Sequence, residues 1–516
     1  MIKSMSKKIY MELTPPGDGD FVADKDRILR ALKADFGDVV ISQDTFRRHY
    51  MSLRDFDWKL TVTMIMKGHE WEIVRIEPGD TTAVNYGYAV DIGSTTINMQ
   101  LVDLNNGKVL AEEGLFNAQI KYGDEILSRI FYVKDYPERL AELQKCTLDN
   151  LRELVERLHQ KTGVSKSDCG IMVIAGNTTM THFLLGYDPW HIFHVPYAPA
   201  FNSCGFIPAK ELDLDFPGLV YCFPSVANYV GGDIVSGLLA SELYRKEELA
   251  LFMDIGTNGE MILGNNEFLV SAAGAAGPAL EGGISKQGMQ AKPGAVDTVK
   301  IENNELHLTT IGNTKPLGIC GSGIVDLLAE MLLEGWIDSA GAFVPGKSER
   351  IVEREGEYAV VYAWDYESGS GEELIFTQND IFSYMDTKAA ANTMVSYLLE
   401  ASGVGAGDIQ RLYLVGAFGA HLNIESAVTI GLYPDLPRDR FVILGNGSLK
   451  GASMLLTDAE LYNTAESIIE RIYYLSLGDA TDFLTKMYAA KFLPHTDLTL
   501  YPSVTERIKQ RALARR

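Results

Sequence analysis

The sequence predicts an α/β protein built on a duplicated subdomain, with a small α+β module ahead of it. Three observations predict this. The segment Tyr88-Ala89-Val90-Asp91-Ile92-Gly93-Ser94-Thr95 recurs in character as Leu251-Phe252-Met253-Asp254-Ile255-Gly256-Thr257-Asn258. Each copy reads as a buried strand ending in Asp-Ile-Gly, then a second strand, a turn and a third strand, so two β-β-β beginnings imply two similar α/β subdomains. The chain has 516 residues, more than one ordinary domain needs to bury a core.

The elements follow in order. Residues 1–84 form the first module. Lys8 to Leu13 alternates as a strand, Pro15-Pro16-Gly17-Asp18-Gly19 is a loop, and Asp24 to Leu32 is a short amphipathic helix. Trp58 to Met66 and Glu70 to Glu77 alternate around Lys67-Gly68-His69, which predicts a hairpin, and Pro78-Gly79-Asp80 marks the boundary. The first subdomain is placed at 85–226 and the second at 227–516, with a C-terminal return to the first. In the first repeat Ile97 to Leu104 is the second strand and Asn105-Asn106-Gly107 the turn; in the second these are Glu260 to Leu263 and Gly264-Asn265-Asn266. Pro137 to Lys161 is an amphipathic helix. Thr377, with Asp380 three residues on, opens a long helix that Gly403 closes. Leu412 to Val415 and Phe441 to Leu444 are short apolar strands ending in glycine.

Composition narrows the function classes. Hydrophobic residues make up 46% and charged residues 22%, as in folded globular proteins. Lys plus Arg is 46 against 69 for Asp plus Glu, a formal charge of −23. That field repels nucleic acid and anionic membranes, so neither is expected as a partner. The basic run from Glu506 to Arg516 reads as a solvated helix end. No apolar run approaches the roughly 20 residues of a membrane span, and the N-terminus is too interrupted for a signal segment. The five cysteines, Cys146, Cys169, Cys204, Cys222 and Cys320, are scattered with no C-x-x-C pair. A disulfide scaffold, a zinc ribbon and a ferredoxin-type cluster are not expected, and a cytoplasmic location is.

A strand that ends in Asp-x-Gly-(Ser/Thr) and turns straight back offers three tools at one point. The carboxylate suits a hard cation such as Mg²⁺, directly or through water. The glycine lets the backbone pass close to a ligand. The hydroxyls and successive N–H groups can cradle phosphate oxygens. Two copies could face each other across a cleft, with Asp91 and Asp254 flanking one polyphosphate–metal complex. Leu414-Val415-Gly416-Ala417-Phe418-Gly419-Ala420 is a strand running into a glycine turn, which leaves a flat slot for a nucleobase; a plain strand–turn–helix connection is the alternative. The small residues of Ala227 to Gly237 would let a helix pack closely at a hinge. Asp233 within them could meet the metal or position a water, or act as a helix-dipole carboxylate.

These residues resemble the superfamily of acetate and sugar kinases, actin and the large heat-shock chaperones. Asp91-Ile92-Gly93-Ser94-Thr95-Thr96 is similar to its first phosphate motif, and Asp254-Ile255-Gly256-Thr257-Asn258-Gly259 to its second. Gly416, Ala417, Phe418 and Gly419 lie in a stretch similar to the adenosine motif; Ala227 to Ala240 and Gly445 to Ala452 resemble the two connecting helices. The resemblance implies duplicated ribonuclease-H-like, actin-like ATPase subdomains with a nucleotide cleft, behind a small α+β linker domain. A narrower likeness rests on Gly277-Pro278-Ala279-Leu280-Glu281-Gly282, Gly318-Ile319-Cys320-Gly321-Ser322-Gly323, Phe492-Leu493-Pro494-His495-Thr496-Asp497 and the Tyr86-Gly87-Tyr88 entry. Together these resemble the ATP-dependent reductive activators of corrinoid enzymes, and Lys8 to Leu13 with Asp57 to Thr63 is similar to their linker region.

That resemblance implies an ATPase that returns a corrinoid protein from Co(II) to Co(I). It implies Mg²⁺ and ATP, with Asp91 and Asp254 on the metal and Ser94, Thr95, Thr257 and Asn258 on phosphates. Asp233 would orient the attacking water. Lys388 falls where related ATPases place a basic residue near the nucleoside, though read from the helix pattern it is an exposed helix lysine. Family members pass the electron through an iron–sulfur domain of their own. No cysteine cluster stands at either end here, so the expectation is no iron–sulfur cluster in this chain and a separate ferredoxin-like electron donor. A homodimer is one assembly this allows. A small-molecule kinase of the same fold and a nucleotide-switched binding protein are the competing readings. Gly341 to Ser348 matches the Walker A spacing, but a helix precedes it and a strand follows, so a surface loop is expected. Cys320 lacks a paired histidine, and His182, His191 and His194 lack partner ligands for zinc. His421 and His495 read as solvated or capping residues.

Overall fold

A computed structural model describes residues 2–256, 258–275, 283–477 and 482–514. The chain forms two compact units, Met1–Glu242 with Gly447–Arg471 and Leu243–Asn446 with Ile472–Arg516. The motif residues Gly277 to Gly282, and Thr257, lie outside the described residues.

The first unit opens with strands β1 (Ser6–Glu12), β2 (Val39–Ile41), β3 (Lys59–Lys67) and β4 (Glu70–Pro78), in the order β1-β3-β4-β2. β3 and β4 form the expected hairpin, and the helix Asp24–Phe36 supplies Ile28 and Leu32 to their core. A six-stranded sheet follows: β5 (Tyr86–Ile92), β6 (Thr96–Asp103), β7 (Lys108–Phe116), β8 (Cys169–Gly176), β9 (Phe206–Pro208) and β10 (Leu219–Cys222). Its order is β7-β6-β5-β8-β10-β9. β8 is buried along its whole length, as a central parallel strand covered on both faces must be.

The second unit repeats this. Its large sheet contains β11 (Ala250–Ile255), β12 (Asn258–Gly264) and β13 (Leu269–Ala275). Two three-stranded sheets follow: β14 (Ala295–Glu302) with β15 (Glu305–Thr310) and β16 (Gly318–Ile319), then β17 (Ile351–Arg354) with β18 (Glu357–Ala363) and β19 (Leu374–Thr377). β20 (Arg411–Val415), β21 (Phe441–Gly445) and β22 (Ile472–Tyr474) complete the large sheet in the order β21-β20-β11-β12-β13-β22. Reading β7-β6-β5-β8-β10 against β13-β12-β11-β20-β21 gives one topology twice, an antiparallel meander with two parallel strands beyond its first member.

The units divide the chain differently from the expected boundary at 226. The helix Gly232–Ser241 packs in the first unit against the helix Gly447–Thr457. Small residues make this possible. A Cβ on Gly451 would stand 1.9 Å from Ser236 O, and Ser236 Oγ donates to Ser448 O at 2.7 Å. The C-terminal segment from Ile472 belongs to the second unit. Its helix Pro502–Ala514 is held by Arg511, which bonds Glu334 Oε1 at 2.9 Å.

Candidate functional site

In the first unit, β5 delivers Asp91 to the C-terminal end of the parallel strands, where Asp91 pairs in register with Ala175 of β8 and Asn98 of β6. The turn that follows is tight. Gly93 N donates to Thr96 O at 2.9 Å, and a Cβ on Gly93 would lie 2.8 Å from that oxygen, so only glycine fits. The turn is anchored from behind through its carbonyls. Asn117 donates to Gly93 O from its side chain and to Thr95 O from its backbone, both at 2.9 Å. Arg129 donates to Ser94 O at 2.7 Å and to Gly123 O at 2.8 Å. Arg129 is fully buried, and desolvation pushes its guanidinium down to about 10.

β8 ends at Gly176, and Asn177 caps the helix Thr178–Leu185 by accepting from Met180 N at 2.9 Å. Gly231 presses against that cap; its Cβ would sit 2.5 Å from Asn177 Cα. This close approach fixes the start of the helix Gly232–Ser241, with Asp233 in its first turn and Asp233 Oδ1 accepting from Ile234 N at 2.9 Å. Asp91, the Gly93–Thr96 turn and Asp233 thus gather at one end of one sheet, beside two helix N-termini whose dipoles favour anions.

In the second unit, β11 delivers Asp254, in register with Val415 of β20 and Glu260 of β12. Val415 leads into Gly416, which has φ +82 and starts the helix Gly416–His421. A Cβ on Gly416 would lie 2.7 Å from Asp254 Oδ1. The carboxylate therefore rests against bare backbone at the head of the stretch read as an adenosine motif. Gly256 leaves the end of β11, and Gly259 pairs with Ile255 in the β11–β12 hairpin. Gly419 is a member of the short helix. Thr257 and the side chains of Asn258, Ala417 and Phe418 fall outside the described residues.

Sequence reasoning missed three residues. Glu260 is buried and opposite Asp254, so both carboxylates leave the hairpin on one face. Asn117 and Arg129 hold the first turn; a lone arginine in the apolar run Ile126–Lys134 was the available signal for the latter.

Lys388 requires a correction. It is fully buried on the helix Gln378–Ser402, not an exposed helix lysine. Its Nζ donates to Ala490 O at 2.6 Å, to Phe492 O at 2.7 Å and to Pro494 O. Three carbonyls take the three N–H groups, and burial pulls the ammonium well below the ordinary lysine range. Lys388 pins the Phe492–Asp497 motif to its own unit.

The remaining sequence features resolve as structure. Gly318 and Gly323 permit a tight helix entry: their added Cβ atoms would lie 2.3 Å from Gln287 O and from Val296 O. Cys320 Sγ donates to Val296 O at 3.3 Å. His182 bonds Thr178 O at 2.7 Å through Nδ1 and accepts from Ala200 N through Nε2. The Walker-like segment is a loop that leads to β17. Among the described residues, no group of three or more His, Cys, Asp or Glu is arranged to hold a metal ion, and no helix is long and apolar enough to cross a membrane.

Three family models match along the chain in order: the RACo linker region over residues 1–83, the RACo middle region over 86–246, and the C-terminal ASKHA domain of RACo over 248–505. The chain belongs to the RACo family. The corrinoid activation enzyme RamQ of Eubacterium limosum is 32% identical over 411 residues, covering 77% of this chain and 69% of that protein. A Methanosarcina barkeri protein named [Co(II) methylated amine-specific corrinoid protein] reductase is 23% identical over 424 residues, covering 75% and 73%. A solved structure of a reductive activator for corrinoid, iron–sulfur protein superposes with a TM-score of 0.87 at 38% identity, over 98% of this chain and 81% of that one. The duplicated sheets of this RACo-family chain are those of the actin-like ASKHA fold.

Proposed function

We propose that this chain hydrolyses ATP to drive reductive reactivation of a corrinoid protein, returning its cobalt from Co(II) to Co(I) for methyl transfer. The match to all three RACo regions in order carries this reading. The site residues fit Mg·ATP by their chemistry. Asp91 and Asp254 are hard oxygen donors at strand ends, and the bare backbone of Gly416 beside Asp254 leaves space that a side chain would fill.

Asp91 and Asp254 would hold the metal, mostly through water. Gly93, Ser94, Thr95 and Thr96 in the first unit, and Gly256, Thr257, Asn258 and Gly259 in the second, would contact phosphates through backbone N–H groups and side chains. Gly416 to Gly419 would meet the nucleoside. Asp233 would align the attacking water. Bound Mg²⁺ would supply neutralisation of the phosphate charge. Lys388 is left out of this set because its donors are already taken.

A separate ferredoxin-like protein would supply the electron. Lifting one electron by ~100 mV takes about 2.3 kcal/mol, within the reach of a nucleotide-driven conformational step. The test is Co(I) formation from a Co(II) corrinoid protein with an external low-potential reductant, followed by absorbance with and without ATP. ATP is expected to accelerate it; an equal rate without ATP would remove the proposal.

A further inference from the structure

Two thiols meet at the edge of the first unit's large sheet. β9 runs antiparallel to β10 with Phe206 opposite Tyr221. The pairing continues beyond both strands, because Ser225 N donates to Asn202 O at 2.8 Å. Gly205 therefore lies opposite Cys222, and Cys204 is one step further along. On strands about 4.8 Å apart with a rise of about 3.4 Å, an offset of one residue separates Cα atoms by about 6 Å. A disulfide spans about 4.4–6.8 Å.

In a regular strand, Cys204 and Cys222 would leave opposite faces. Gly205 has φ +66 and breaks the alternation. Cys204 turns to the face of Cys222, where both pack on one hydrophobic core, and its Sγ donates at 3.8 Å to the carbonyl oxygen of Gly205, the residue opposite Cys222. Both are free cysteines. Access differs between them: Cys222 is buried, while Cys204 is only partly covered. The neighbouring Cys222 thiol holds the Cys204 thiol below its ordinary value, and Cys204 in turn, with burial, pushes Cys222 well up. Cys204 is thus the more accessible of the two and the one whose thiolate its neighbour favours.

We propose that Cys204 and Cys222 are a redox-sensitive pair that closes to a reversible disulfide. The oxidant is a low-molecular-weight disulfide. The Cys204 thiolate attacks one of its sulfurs, breaking that S–S bond, forming a mixed disulfide and releasing one thiol. Cys222 then displaces the second thiol, so two protein thiols are oxidised and one external disulfide is reduced to two thiols. The closed pair staples the segment ahead of β9 to the end of β10. From there the chain runs through Phe223–Val230 to Gly231 and Asp233, so the staple acts on the backbone that sets Asp233.

The full-length protein is incubated with glutathione disulfide, and free thiols are counted after denaturation. The count is expected to fall from five to three, with one cross-linked peptide joining Cys204 to Cys222, and to recover with dithiothreitol. Cys204→Ser, with wild-type melting temperature, keeps all its thiols. Oxidised wild type is expected to hydrolyse ATP at least threefold more slowly than reduced protein, while Cys204→Ser is insensitive to the oxidant. Five thiols after oxidation, a stable glutathione adduct on Cys204 without the cross-link, a bridge between other cysteines, or equal turnover in both states would each overturn the proposal.

Discussion

Replacing Gly416 by alanine tests the placement of Asp254. The added Cβ would stand 2.7 Å from Asp254 Oδ1, while an unstrained carbon–oxygen contact is about 3.2 Å or more. The carboxylate must therefore retreat by roughly 0.5 Å. A positive φ adds a backbone penalty of about 1–2 kcal/mol for a residue with a Cβ, which lowers the melting temperature of a unit this size by about 2–8 °C. Gly445 provides the control. It has φ +66, but nothing lies within 4 Å of its added Cβ. Gly445→Ala should show the same loss of stability with near wild-type ATP turnover. If Asp254 holds the metal as proposed, displacing its carboxylate by a fraction of an ångström should slow Gly416→Ala by about 10–100-fold. The assay is steady-state ATP hydrolysis at a temperature where both variants are folded by circular dichroism. Equal turnover in the two variants would show that the position of Asp254 does not limit catalysis.

Three other perturbations have defined signs. Lys388→Met strips three buried carbonyls of their donor and should lower stability by about 2–4 kcal/mol in denaturant titration; an unchanged midpoint would contradict the anchor. Gly451→Val drives a Cβ into Ser236 O and should cost about 3 kcal/mol or more, whereas Ser236→Ala, which loses one hydrogen bond, should cost about 1 kcal/mol. Asp326 is buried on the helix Gly321–Glu334, and desolvation raises its pKa above 3.8. The folded protein holds this proton longer than the unfolded chain does, so the wild type loses stability as pH rises from about 3.8 through the folded value. Asp326→Asn should therefore be the more stable protein at pH 7, with the gap closing toward pH 3. A gap that does not change with pH would exclude ionisation of Asp326 as its cause.

Features written in short stretches of sequence were legible. The box at Thr377 forms as its spacing implies, with Asp380 N donating to Thr377 Oγ1 at 3.2 Å and Thr377 N to Asp380 Oδ2 at 2.9 Å. The two Asp-Ile-Gly turns and the β3–β4 hairpin are equally local. What stayed hidden depends on partners far along the chain. Arg129 reaches Ser94 across 35 positions and Lys388 reaches Pro494 across 106. A lone basic residue in a helical pattern looks the same whether it is solvated or wrapped in carbonyls. The assignment of Gly232–Ser241 to the first unit depends on Gly451, more than two hundred residues later.

The two copies of the acidic turn are supported by different means. In the first unit, bonds from outside the motif hold its carbonyls: Asn117 on Gly93 and Thr95, and Arg129 on Ser94. In the second, the close approach is to the carboxylate itself, and the absent side chain of Gly416 allows it. The first turn therefore depends on polar groups that a conservative change can partly replace, since another donor can still reach a carbonyl. The second depends on a void that every larger residue fills. Duplication kept the strand order and the Asp-Ile-Gly sequence, but tolerance to substitution should differ. Arg129→Lys should keep a larger share of wild-type turnover than Gly416→Ala, although the arginine is fully buried and the glycine carries no side chain.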